Sequence, residues 1–78
     1  RQREASFDRL PPADAKPLSA IVTSLEQRNL GNIVEIDFDD RRWEIDVQPE
    51  EGRRLELYVD PVSGAITRCR GGAGCPAI

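Results

Sequence analysis

The sequence predicts an α+β domain: one amphipathic helix packed on one face of a three- to four-stranded antiparallel meander sheet. Three observations predict it. Leu18, Ile21, Val22 and Leu25 recur at helical spacing, which lays one apolar stripe along a helix. Val34-Ile36-Phe38, Trp43-Ile45-Val47 and Leu55-Leu57-Val59 then alternate apolar with polar residues, the period of a strand with one face buried. The polar segments between these runs are of turn length, so neighbouring strands run antiparallel.

Residues 1–16 carry only Phe7 and Leu10 as residues able to pack; their helical spacing allows a short turn, which Pro11-Pro12 stops. They read as an N-terminal arm, disordered in part at its start. Pro17 suits the first helical position, where its missing N–H is no loss. Asn29-Leu30-Gly31 reads as the helix stop, with Gly31 the residue able to turn left-handed. A first strand follows from Asn32 to Asp39 and a second from Arg42 to Gln48. A two-residue turn at Asp40-Arg41 sets Phe38 opposite Trp43, Ile36 opposite Ile45 and Val34 opposite Val47. Pro49 ends the second strand by removing a ladder donor. The third strand, Arg54 to Asp60, pairs Leu55 with Val47, Leu57 with Ile45 and Val59 with Trp43. Asp60-Pro61-Val62-Ser63-Gly64 has the composition of a tight corner. Ala65 to Arg68 then adds a short fourth strand, with Ile66 beside Val59. The helix must cover the apolar face, because no other element is present to do so. Trp43 is the largest side chain expected in that core, and its indole N–H calls for a partner or water.

The 78 residues make one domain. A chain this short buries only roughly 60% of its unfolded surface. The net charge of −3 argues against nucleic acid as a partner. No run of roughly 18 apolar residues is present, so no membrane insertion is expected. No apolar stretch follows Arg1-Gln2-Arg3-Glu4, so no signal peptide is visible.

Catalytic chemistry finds no foothold. There is no histidine, the commonest general base. Ser6, Ser19, Ser24 and Ser63 have no base placed to activate them, and Lys16, the one lysine, stands beside Pro17. The glycines fit no phosphate-binding pattern. The reading is therefore a non-enzyme without a cofactor. Cys69 and Cys75 cannot complete a tetrahedral zinc site by themselves, so no metal site is assigned. The glycine-rich stretch between them lets the two sulfurs meet in a disulfide; two free thiols are the alternative. Their spacing is not Cys-x-x-Cys, which weakens a third reading as a redox-active pair. These cysteines mark residues 69–78 as a C-terminal tail outside the domain proper, 17–68.

The sheet's open face is acidic. The expected register sets Glu35 opposite Asp46, Asp46 opposite Glu56, and Asp37 opposite Glu44. Like charges directly opposed cost a strand pair up to about 1 kcal/mol. Arg42 and Arg54 at the margins offset part of this. On this reading, neutralising Asp46 relieves two repulsions and stabilises the domain. The stripe either guards the sheet against pairing with other chains or docks a basic protein or peptide. Glu35, Asp37, Glu44, Asp46, Glu56 and Tyr58 form the candidate binding face. Calcium fits poorly, because strand carboxylates lack the loop carbonyls that complete its shell.

Lys16-Pro17-Leu18-Ser19 opens the helix, Val34-Glu35-Ile36-Asp37-Phe38-Asp39 and Arg42-Trp43-Glu44-Ile45-Asp46-Val47 follow, and the chain closes through Arg54-Leu55-Glu56-Leu57-Tyr58-Val59-Asp60 into Pro61-Val62-Ser63-Gly64-Ala65-Ile66. This series resembles the PepSY domain in its small stand-alone bacterial form. The resemblance covers about residues 17–68, and the closing stretch from Tyr58 to Ile66 is its most specific part. It implies a periplasmic or secreted module whose signal peptide is removed or not included. It also implies a binding or regulatory domain that modulates or inhibits a peptidase or another envelope protein; a monomer is expected over an oligomer. The alternatives are an accessory domain of a larger envelope protein and a sensor of a cation or small ligand. The family brings no catalytic residues to carry over. The Cys69 and Cys75 tail departs from its pattern.

Overall fold

The computed structural model describes residues 10–78. They form α1 (Leu18–Gln27), β1 (Asn32–Asp39), β2 (Arg42–Gln48), β3 (Leu55–Val59) and β4 (Ile66–Arg70). The four strands pair antiparallel in the order β1-β2-β3-β4, so the expected α+β meander is the observed fold, and the sheet is open. Most of the expected arm, Phe7 included, lies outside the described residues. Leu10 is exposed, and the end of the arm is tied to the corner after β3 by a hydrogen bond from the Lys16 N–H to the Pro61 carbonyl, 2.8 Å.

Both helix ends differ in detail from expectation. Pro17 is the N-cap rather than the first helical residue, with an extended ψ of 142°. Its carbonyl accepts from the Ala20 and Ile21 N–H groups, and proline has no N–H to leave unpaired. At the other end Asn29 takes the left-handed conformation, φ 56°, which asparagine tolerates better than most residues, and Gly31 has a positive φ as well, 146°, which favours glycine. Gly31 is needed for closeness too. A Cβ there would lie 2.5 Å from the Gln48 carbonyl oxygen, so only glycine lets the chain enter β1 alongside the end of β2.

The β1–β2 hairpin closes through Asp40 and Arg41 with φ of 54° and 65°, the signs a two-residue type I′ turn needs. From there Phe38 pairs with Trp43 and Ile36 with Ile45, as expected. Further along, the register departs: Ile33, not Val34, is opposite Val47, and Val34 is the extra residue of a bulge. Ile33 and Ile36 are three residues apart, so both can face the core only if one residue is inserted between them. The β2–β3 register is as expected throughout. β4 begins one residue later and runs two residues further than expected. It too is bulged: Val59 pairs with Ile66 but Tyr58 pairs with Arg68, leaving Thr67 as the extra residue. Its hydroxyl donates to the Tyr58 carbonyl at 3.2 Å.

The core forms between α1 and three of the four strands. Ile21 and Leu25 meet Ile45, Val47, Leu55, Leu57, Val59 and Ile66 in one buried cluster. Each fully buried side chain of this size contributes about 1.5–3 kcal/mol. Trp43 is not in this cluster but at its rim, half-buried, with its ring edge-to-face against Phe38 at 4.9 Å. Its indole nitrogen is buried without a hydrogen-bond partner. Val34 and Ile36 are 50% and 36% exposed, because α1 does not reach across to β1.

The tail completes the other margin. Cys69 and Cys75 are joined in a disulfide with Cα atoms 5.7 Å apart, and both pack on the core cluster. Cys69 stands opposite Leu57. Gly71 passes so close to the Arg54 carbonyl and to Leu55 that no Cβ fits, and Gly74 lies over the Leu55 methyls. The staple thus holds a short lid over one end of the core.

Two outcomes follow from this packing. Ile45, fully buried, should cost about 2–5 kcal/mol when replaced by alanine. The opposed Ile36 should cost well under half of that in the same denaturant titration. Equal losses would mean that α1 covers β1 after all. The disulfide closes a short loop and should contribute about 2–3 kcal/mol. The Cys69→Ser, Cys75→Ser variant should keep the far-ultraviolet spectrum of the sheet, lose that stability, and show faster amide exchange at Leu55. Intact mass should show no alkylatable thiol in the unreduced wild type.

Candidate protein-binding face

The face of the sheet turned away from α1 is built in cross-strand rungs. One runs Glu35, Asp46, Glu56, Arg70, and the next Asp37, Glu44, Tyr58, Arg68. All six candidate residues fall in these two rungs, on the register expected for them. The bulge at Thr67 matters here. Without it, Arg68 would pair with Leu57 and point into the core. With it, Cys69 takes the core side and Arg68 and Arg70 join the open face.

These arginines change the electrostatic picture. Arg54 Nε lies 3.3 Å from Asp46 Oδ2, and its Nη2 lies 3.5 Å from Glu35 Oε1. One guanidinium thus bridges the pair whose repulsion the sequence leads one to expect. Arg70 Nη1 lies 4.0 Å from Glu56 Oε1, and Arg42 Nε lies 3.9 Å from Glu44 Oε2. The expectation that neutralising Asp46 relieves two repulsions is therefore corrected, because Asp46 already has a cation. Exposed pairs of this kind contribute about 0–1 kcal/mol each, so they balance the face more than they stabilise the fold.

Tyr58 is the centre of the arrangement. The Arg42 guanidinium lies over its ring, 4.0 Å from the centroid, and Arg68 stands 6.0 Å from it. Arg70 donates to its hydroxyl at 3.4 Å. These side chains leave Tyr58 only 4% exposed, although it is on the open face. It supports the surface from beneath.

The balance is uneven across the sheet. Glu35, Asp37 and Asp39 stand on β1, whereas Arg68 and Arg70 stand on β4. Among the described residues no cation lies within 4 Å of Asp37 or Asp39. Partial burial, followed by repulsion from Asp39, Glu56 and Asp37, holds the Glu44 carboxyl above the ordinary glutamate range, and Arg42 opposes this. The acidic half is thus one where a further cation would be welcome. Among the described residues no set of carboxylates or cysteines is arranged to hold a metal ion.

The corner that follows β3 is of a different kind. Asp60 Oδ1 accepts from the Val62 and Ser63 N–H groups at 2.8 and 3.0 Å. The Asp60 carbonyl accepts from the Gly64 N–H at 2.8 Å, and its own N–H donates to the Ala65 carbonyl at 2.9 Å. The bonds from Ser63 and Val62 hold its carboxyl below the ordinary aspartate range. Asp60, Ser63 and Gly64 make a structural corner, and nothing in their geometry aims at a ligand.

With the sheet, the corner and the face described, comparison with known families is decisive. The family model described as "Peptidase propeptide and YPEB domain", PepSY, matches residues 5–70 of the 78. The chain belongs to this family. The match extends beyond 17–68 at both ends, and its last residue is the last of β4. No curated protein and no solved structure matches the chain. PepSY domains are in general non-catalytic, propeptide-like or inhibitor-like modules, related to peptidase interaction. The family is usually extracellular or envelope-associated. No helix among the described residues is long and apolar enough to cross a membrane.

Two carboxylates should be separable by pH. Glu44 binds its proton more readily in the folded state, so its ionisation costs stability that is regained as pH falls toward about 4. Asp60 binds its proton less readily when folded, so its contribution is present above about pH 4 and lost below it. Glu44→Gln should therefore be more stable than wild type at neutrality, with the difference closing on acidification. Asp60→Asn should lose part of the acid-induced fall in denaturation midpoint. A Glu44→Gln difference that is constant with pH would contradict this account.

Proposed function

We propose that this domain is an extracytoplasmic, non-catalytic binding module that modulates a peptidase or another envelope protein through the acidic half of its open sheet face. The observation that carries this reading is the match, over most of the chain, to a family described by its peptidase propeptides. Glu35, Asp37, Glu44, Asp46 and Glu56 are the contact residues in this reading, with Tyr58 beneath them. The partner surface is basic, because a cation placed over Asp37 and Glu44 relieves repulsion that the domain itself leaves in place. A disulfide in so small a domain supports a periplasmic or secreted setting, where thiols are oxidised.

A depression of about 800 Å³ at the end of α1 is lined by Glu26, Asn29, Leu30, Ile33, Gln48 and Pro49 among others. It is wide open and gives a small ligand little enclosure, so the sensor reading gains little from it. The accessory-domain reading predicts a stable domain whose open face can be changed without consequence.

The test is cross-linking of the purified domain in the envelope fraction of its source, with captured proteins identified by mass spectrometry. The paired substitution Asp37→Lys and Glu44→Lys should reduce capture of the main partner at least about tenfold, the equivalent of losing one charge-assisted contact. Reversal of Glu26 on α1 should not. The wild-type interaction should weaken with added salt as charges are screened. Capture unaffected by the face substitutions would reject the face, and no specific capture would favour the accessory-domain reading.

A further inference from the structure

We infer that β1 is a docking edge: it accepts an extended segment of a partner protein as a fifth strand, one that alternates basic with apolar residues. This deepens the binding-module reading above and rests on it, naming the mode of contact and the chemistry of the partner segment.

β1 is at one end of the strand order and pairs with β2 alone. Its outer edge presents the backbone donors and acceptors of a strand with no ladder partner among the described residues. Such an edge is a template for another chain unless it is blocked. The opposite edge, β4, is guarded. It is five residues long and bulged at Thr67, it bears Arg68 and Arg70, and it leads into the disulfide-stapled tail. β1 has its bulge at Val34, near its start, so Glu35 to Asp39 remain regular over about 17 Å.

The side chains along this regular stretch specify what fits. On the core side Ile36 is 36% exposed, and the bulged Val34, two residues before it, is 50% exposed. An edge selected only to repel other strands has no use for uncovered apolar side chains. On the open side stand Glu35, Asp37 and Asp39, and only Glu35 has a guanidinium within 4 Å among the described residues. A neighbouring strand places its side chains on the same two faces in alternation. It would therefore present apolar groups beside Ile36 and Phe38, and lysine or arginine beside the three acids. Ladder hydrogen bonds supply affinity in this mode, and alternate side chains supply specificity.

A second copy of this chain fits badly. Directly opposed residues of antiparallel strands point to the same face. Self-pairing of β1 in an even register sets Glu35, Asp37 and Asp39 against the same acids of the other copy. An odd register sets acids against Ile36 and Phe38. Both are unfavourable, so charge complementarity selects a basic partner.

The test uses the full chain, ¹⁵N-labelled, titrated with an acetylated and amidated peptide of alternating lysine and valine, seven residues long. The matched probe is the same peptide with its backbone nitrogens methylated, which keeps charge and apolar content but cannot donate to a ladder. Amide shifts should be confined to residues 32–39 and their β2 neighbours. The methylated peptide should bind at least about tenfold more weakly, since two or more ladder bonds are lost. Ile36→Lys, at a position over a third exposed, should leave the circular dichroism unchanged and weaken the peptide to a similar degree. Equal binding of the two peptides would reduce the effect to charge attraction and overturn the inference, as would no binding. Shifts centred on β3, at Glu56 and Tyr58, with none along β1, would overturn it while leaving the open-face reading intact. Concentration-dependent β1 shifts with a dimeric mass, without peptide, would assign the edge to a second copy. The same shifts on deletion of residues 1–9 would assign it to this chain's own arm. Peptide bound along β1 with no envelope protein captured would keep the edge and remove the proposed partner.

Discussion

A ten-residue helix has to cover a four-stranded sheet, and it is too narrow to do so. At 1.5 Å per residue α1 is about 15 Å long, and with its side chains about 10 Å wide. Four strands about 4.8 Å apart span roughly 14 Å between their outer axes, before side chains are added. Something has to remain uncovered. Ile21 and Leu25 settle over β2, β3 and β4, where Ile45, Leu57 and Val59 become fully buried. The shortfall is then pushed to the margins, and the two margins are treated differently. At the start of β3 a stapled tail closes over Leu55. Along β1 nothing described covers Val34 and Ile36. The core, the disulfide and the exposed edge are three consequences of one geometric limit.

The second organising feature is that both outer strands are bulged and both central strands are regular. An inserted residue inverts the facing of everything beyond it. In β4 the inversion turns two arginines outward and one half-cystine inward, so a single irregularity at Thr67 serves the staple and the open face together. In β1 it keeps Ile33 against Val47 while Glu35 stays in the acidic rung. Neither bulge is a packing fault. Each reconciles apolar residues spaced three apart with a face that repeats every two.

The strand alternations made the fold legible, and the two-residue gap at Asp40-Arg41 fixed the β1–β2 register near the turn. The acidic residues of the candidate face were equally legible, because the central register carries them. The bulges were not read, although Ile33 with Ile36 and Ile66 with Cys69, each three apart, were their signal. Without the bulges Val34 falls opposite Val47, the fourth strand is shorter, and Arg68 and Arg70 are missing from the open face. Arg54 is legible in the sequence as a charge near Asp46, but nothing there says that its one guanidinium also reaches Glu35. Trp43 was expected in the core because of its size. Its position opposite Val59 at the end of the sheet, beside Phe38, puts it at the rim.

Charge placement also bears on how a weakly stabilised domain can keep a polar face ready for a partner. Every arginine on that face has an acid or an aromatic ring to rest against, and most of the acids have an arginine. The exceptions gather on β1, where Asp37 and Asp39 add to the field that disfavours the Glu44 charge. A domain stabilised by ~5 kcal/mol tolerates roughly a few tenths of a kcal/mol of such repulsion, as the cost of one or two exposed like-charge contacts. A basic partner of the kind proposed would relieve that repulsion, which would then add to the free energy of docking instead of to folding. The apolar shortfall along the same strand points in the same direction: Val34 and Ile36 are left exposed by the fold itself, and the proposed fifth strand would cover them. The proposed partner would then be complementary in two ways at one edge, through the residues that the single helix does not cover and through the acids that have no arginine within 4 Å among the described residues.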